Sequence, residues 1–180
     1  MSARVESVSR AGEHGVSKLP AELIELIAGH GVAGDAHAGV TVKHRSRVAK
    51  DPTQPNLRQV HLIHAELFDA IAPLGHRVAP GELGENILTR GINLLALPAD
   101  SELRIGESAV VRVTGLRNPC AQIEAFQSGL LAQMVEKRAD GALVRKAGVM
   151  GIVLNGGRVR PGDSIEISLP EGPHRPLGPV

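Results

Sequence analysis

The chain is a succession of short apolar runs broken by glycine and proline. Arg4–Arg10 alternates loosely around Val5 and Val8 and predicts a first strand. Ala109-Val110-Val111-Arg112-Val113 and residues 148–154 are rich in β-branched side chains and predict two more. Residues 59–63 and a segment near Ile87 read the same way. Residues 99–105 and 162–167 echo one another as a turn followed by an alternating strand, each the entry of a hairpin. Asn155-Gly156-Gly157 is a further turn signal. Helical spacing is confined to short pieces. Pro20 starts one, with Leu23, Ile24, Leu26 and Ile27 as its apolar face and Gly29 and Gly31 at its end. Residues 64–72 carry Leu67, Phe68 and Ile71 on one face, a helix follows Cys120 to Phe126, and residues 130–138 form another.

Many short strands with few short helices predict a mainly β, α+β domain: an antiparallel barrel with short helices packed outside. Strand–helix alternation of dinucleotide-binding length is missing, as is the Gly-x4-Gly-Lys-Ser/Thr phosphate loop. Residues 1–169 read as one domain, and residues 170–180, with four prolines, as a disordered or peripheral tail.

Composition narrows the function classes. Phe68 and Phe126 are the only aromatic residues, so the core is aliphatic and base stacking on aromatic rings has no platform. The net charge of +1 argues against a polyelectrolyte binder of nucleic acid. No apolar run approaches the ~20 residues of a membrane span, the start does not read as a signal peptide, and a single cysteine suits a reducing cytoplasm. Charge is concentrated locally. Residues 40–59 hold Lys43, Arg45, Arg47, Lys50 and Arg58 against Asp51 alone, a local charge of +4. Prolines 52 and 55 make the later half a loop. A cationic loop beside the Gly-rich stretch 31–39 has the form of an anion-binding lid, although such runs are often only solvated loops.

The stretch Thr114-Gly-Leu-Arg-Asn-Pro-Cys-Ala-Gln-Ile-Glu124 carries the sharpest chemistry. It places Cys120 where a strand ends and a helix begins. Unpaired backbone N–H groups and the nearby Arg117 favour a thiolate there, and Pro119 stiffens the turn. A lone cysteine is otherwise a small buried hydrophobe. Glu82, Glu85 and Asn86 cluster in a turn, where such residues ordinarily serve the backbone.

Several segments, in order, resemble the MOSC domain, named for the C-terminal domain of molybdenum-cofactor sulfurases, in its small stand-alone form. They are Lys18 after a His-containing loop, Gly31-Val-Ala-Gly-Asp-Ala-His-Ala-Gly39, Arg58-Gln-Val-His-Leu-Ile63, Pro80-Gly-Glu-Leu-Gly-Glu-Asn86, Arg117-Asn-Pro-Cys120 and Gly162-Asp163. The resemblance implies a β-rich barrel and a molybdopterin-type molybdenum cofactor. It implies that Cys120 either ligates molybdenum or carries sulfur. Lys18, Arg58 and Arg117 fall on motif positions suited to the cofactor's anionic groups, and Asn86 on one suited to the pterin edge. Arg45, Arg47 and Lys43 are added from the charge run.

Three readings follow. In one, a molybdenum-dependent oxidoreductase reduces N-hydroxylated compounds with an external flavin or iron–sulfur donor. In the second, a non-catalytic carrier accepts sulfur from a cysteine desulfurase or ferries the cofactor. In the third, which ignores the resemblance, Asp35, His37, His44, His61 and His64 assemble a divalent-metal hydrolase site.

Overall fold

A computed structural model describes residues 2–180. Its centre is an eight-stranded sheet of β1 (Arg4–Arg10), β2 (Leu19–Ala21), β5 (Val60–His64), β6 (Ile87–Arg90), β7 (Glu102–Ile105), β8 (Ala109–Leu116), β11 (Val149–Asn155) and β13 (Ile165–Ser168). The spatial order is β13-β7-β8-β11-β5-β6-β1-β2. All pairings are antiparallel except β5 with β6. A small sheet joins β12 (Gly157–Val159), β3 (Ile24–Ile27) and β4 (Gly31–Val32), and β9 (Val135–Lys137) pairs with β10 (Leu143–Arg145). The helices are short: α1 (Arg45–Val48), α2 (Ala65–Ile71), α3 (Ala121–Phe126) and α4 (Leu130–Gln133).

The burial pattern explains the layers. β8 alternates strictly, with Ala109, Val111 and Val113 buried, so one face turns to the core. β5 is buried at four successive positions because both its faces are covered. Val60 and Leu62 join the main core inside the curl of the sheet. Ile63 joins a second core with Leu67 and Ile71 of α2, Ile123 of α3 and Leu130 and Met134 beside α4. The sheet is thus lined on its outer face by helices.

The expected barrel is met only in part. β1, next to one edge of the curled sheet, meets the segment before β13 at the other edge through one bridge, Arg4 with Ser164, supported by Val5 N–H to Asp163 O at 2.8 Å and Gly162 N–H to Val5 O at 2.9 Å. No continuous ladder closes the sheet there. The expected hairpin entries at residues 99–105 and 162–167 pair with each other as β7 and β13.

Other expectations are corrected. The stretch after Pro20 is not a helix but two strands. In β3, Ile24 and Leu26 are buried while Glu25 and Ile27 are exposed, a period of two that pairing with β12 and β4 imposes. The helix expected over 130–138 stops at Gln133, and β9 follows. After the turn at Gly156 the chain enters β12, which crosses to β3. Residues 171–180 are mostly exposed, and the end of the tail is hydrogen-bonded: Leu116 N–H donates to Gly178 O at 2.7 Å and Val180 N–H to Leu116 O at 3.2 Å, along the part of β8 that β7 does not cover. Among the described residues no helix is long and apolar enough to cross a membrane.

Candidate functional site

β8 ends at Leu116, and the chain must then turn into α3. The Arg117 N–H donates to Gly148 O at 3.0 Å, which fixes where the turn begins. Gly148 has φ +86°, and a Cβ there would overlap the Leu62 carbonyl oxygen, so the contact requires glycine. Asn118 Oδ1 accepts from Arg145 Nε at 2.9 Å. Cys120 is the extended N-cap residue of α3, and its carbonyl accepts from the Ile123 N–H at 3.0 Å. The fully buried Ile123 anchors the short helix. This leaves the Cys120 thiol free and half-buried, with Gln122 Oε1 at 3.6 Å.

The thiol stands in a cleft of about 670 Å³. Lys18, Arg58, Asn86, Arg117 and Arg47 all line it with Cys120, as does Lys43; Arg45 does not. The reason lies in α1, where residues two apart point to opposite sides of the helix, so Arg45 and Arg47 cannot both face inward. Sequence reasoning missed Arg145 as a site residue and counted Lys50 only within the charge run; both line the cleft. Arg145 carried no sequence signal, since only the β10 return brings it beside Asn118.

Charge is the cleft's defining property. Among the described residues seven Lys or Arg side chains line it, and no Asp or Glu does. Lys18 is the one that is neutralised: its Nζ lies 2.8 Å from Asp35 Oδ2. Among the described residues none of the other six forms an ion pair. Arg58 is pushed down to about 10 by burial and by the neighbouring Arg47 and Arg117, with Cys120 acting the other way. Burial also lowers Arg117, against the pull of Cys120 and Glu85, and its Nη1 is buried with no hydrogen-bond partner. A guanidinium keeps its proton at neutral pH through shifts of this kind, so the repulsion persists until an anion relieves it.

Behind these cations lies a polar scaffold. Burial disfavours the Asp35 carboxylate, but hydrogen bonds from His37 and Lys18 outweigh it and hold the group well below the usual range. Its Oδ2 also accepts from Asn86 Nδ2 at 3.0 Å, and the second Asn86 amide hydrogen goes to Ser9 O at 3.1 Å. Asn86 Oδ1 takes the His61 N–H at 3.2 Å. Asn86 therefore lines the cleft with its donors already engaged. Asn56, also missed, is buried and ties the Gly-rich turn to Arg58: it donates to His37 O and Gly39 O at 2.8 and 2.9 Å and accepts from the Arg58 N–H at 3.0 Å.

The divalent-metal site expected from Asp35, His37, His44, His61 and His64 does not form. Among the described residues no three His, Cys, Asp or Glu side chains come together as a metal site. Asp35 is engaged with Lys18, and His61 donates from Nε2 to Ala147 O at 2.8 Å. Burial drives His61 well below its ordinary value and Arg117 adds to this. His64 lies outside the cleft.

Known structures share this fold. None of the curated proteins compared with the chain matches it. Among solved structures, the YuaD protein of Bacillus subtilis is 26% identical with a TM-score of 0.76, over 95% of this chain and 98% of that one. YiiM from Geobacillus stearothermophilus shares the fold at 16% identity and TM-score 0.62, over 92% of this chain and 75% of that one. YiiM from Escherichia coli does so at 19% and 0.63, over 96% and 73%. The family model described as MOSC domain matches residues 37–166, which contain most of the cleft's cations and its thiol, and the chain belongs to that family.

Proposed function

We propose that the cleft binds a phosphorylated molybdopterin-type cofactor, and that Cys120 is the residue that meets its metal or supplies its sulfur. One observation carries this reading: among the described residues, a cleft lined by no acid and by six cations without ion pairs surrounds the chain's only thiol. The residues fit the group. A phosphate needs convergent guanidinium and ammonium donors, and Arg47, Arg58, Arg117 and Lys43 line one cleft. The unpartnered Arg117 Nη1 is a donor in want of an acceptor. A soft thiolate is both a ligand for molybdenum and the form that bears a persulfide. Lys18 and Asn86, both engaged within the protein, shape the wall rather than grip the ligand.

The cofactor supplies two-electron oxo-transfer chemistry when bound. The protein's part is to hold the anionic groups, to present Cys120, and to limit water through the tail residues Pro179 and Val180 that complete the wall. Reduction of N-hydroxylated bases with an external flavin or iron–sulfur donor is the activity that this arrangement would serve. Protein purified from a cofactor-producing host tests the reading. It should contain molybdenum and pterin, and a Cys120→Ser variant should lose the metal while remaining folded. Metal-free wild-type protein from such a host would overturn it. Turnover of an N-hydroxylated base by the loaded protein would separate an enzyme from a carrier.

A further inference from the structure

The cleft gathers the elements of a second chemistry that requires no pterin. We propose that Cys120 takes sulfur directly from a small thiosulfonate-type anion, of which thiosulfate is the simplest, without a protein desulfurase. The inference rests on the sulfur-bearing role of Cys120 in the preceding section but not on cofactor binding.

The obstacle to such a transfer is charge. A thiolate attacking a dianion gathers three negative charges in a small volume. In water their repulsion slows the attack. Here Arg47, Arg58 and Arg117 bring three positive charges, none of them in an ion pair among the described residues. Arg58 and Arg117 line the cleft with Cys120 and are electrostatically coupled to it. Arg117 gives an independent sign of a ligand, because its Nη1 is buried and lacks an acceptor. The half-buried thiol is accessible, and the cleft is far larger than an ion of this size, so donor and product can pass.

The anion's sulfonate end suits the planar guanidinium forks, which leaves its outer sulfur free to meet the thiol. The Cys120 proton leaves to solvent. The thiolate's electron pair forms a bond to the outer sulfur of thiosulfate, and the sulfur–sulfur bond of thiosulfate breaks with its pair on the departing sulfite. Cys120 is left as a persulfide, and the same cations hold sulfite, a dianion, as it leaves. Atoms and charge balance with no added oxidant or reductant.

Reduced, desalted protein incubated anaerobically with thiosulfate tests this. Intact-mass analysis should show one added sulfur atom on Cys120, with one equivalent of sulfite released. Cyanide should then yield thiocyanate and restore the thiol. The rate should exceed that of free cysteine at the same pH and fall about tenfold in either Arg47→Gln or Arg58→Gln at low salt. Arg47 and Arg58 are partly exposed, so these variants should fold as the parent does. An unmodified thiol, a rate equal to that of free cysteine, or rates unchanged in both variants would overturn the proposal. Molybdenum and pterin contents measured separately keep the two readings apart: a metal-loaded protein inert to thiosulfate refutes this inference alone.

Discussion

Lys18 and Asp35 form an ion pair of 2.8 Å with side chains only 5% and 1% exposed, directly behind the cationic cleft. The pair removes one positive charge from the wall and fixes the Gly-rich turn that carries His37, whose N–H donates to Asp35 Oδ1 at 3.0 Å. Burial lowers Lys18, and Asp35 opposes that shift.

Removing one partner of this pair strands the other. Lys18→Met should cost about 3–5 kcal/mol of unfolding free energy, because Asp35 would stay buried with its charge uncompensated. The Lys18→Met, Asp35→Asn double variant should recover part of that loss. Urea denaturation of the two variants checks the coupling. A double variant less stable than the single would show that Asp35 serves the fold mainly through Asn86 and the Ala11 N–H.

Glu85 sets a pH dependence. Burial raises its carboxyl to about 7 from an ordinary 4.5, against the pull of the Gly81 N–H and Arg117, and its Oε2 has no partner. The folded state thus binds this proton more tightly than the unfolded state. The carboxyl costs nothing in acid, and stability falls as pH rises from about 4.5 to about 7 and levels off above. In Glu85→Gln that part of the slope is lost. The stability of the variant minus that of the parent should grow by up to about 3 kcal/mol between pH 4.5 and 8. Denaturation curves at those two pH values test this, and a constant difference would contradict it.

Gly148 links fold to site. Alanine there would meet Leu62 O in a backbone conformation that L side chains rarely adopt, and would displace the carbonyl that holds the Arg117 N–H. Gly148→Ala should destabilise the protein by more than about 2 kcal/mol and also reduce cofactor loading. Gly141→Ala, at positive φ but in open space, should cost less and leave loading unchanged.

The strand leading into Cys120 was legible because Val110, Val111 and Val113 make a β-branched run, and the helix after it because a proline and a cap position precede a helical spacing. Leu23 to Ile27 misled because four apolar residues in five fit both periods, and only the partners β12 and β4 decide between them. Arg47 and Arg58 were visible as local charge. Which cation faces inward was not, since that depends on the turn of α1. Arg145 and Asn56 act through contacts 27 and 17–19 residues away in sequence, which no local pattern encodes. The pairing of Asn86 with Asp35 likewise spans 51 residues.

The charge in the cleft can be tested by binding alone. Titration of the metal-free protein with phosphorylated molybdopterin and with its dephosphorylated form, followed by pterin fluorescence, isolates the phosphate's contribution. The phosphorylated ligand should bind at least about tenfold more tightly at low salt, with the advantage shrinking as salt is added and in Arg58→Gln. Equal affinity for the two forms, insensitive to salt and to Arg58, would mean that these cations do not hold a phosphorylated pterin.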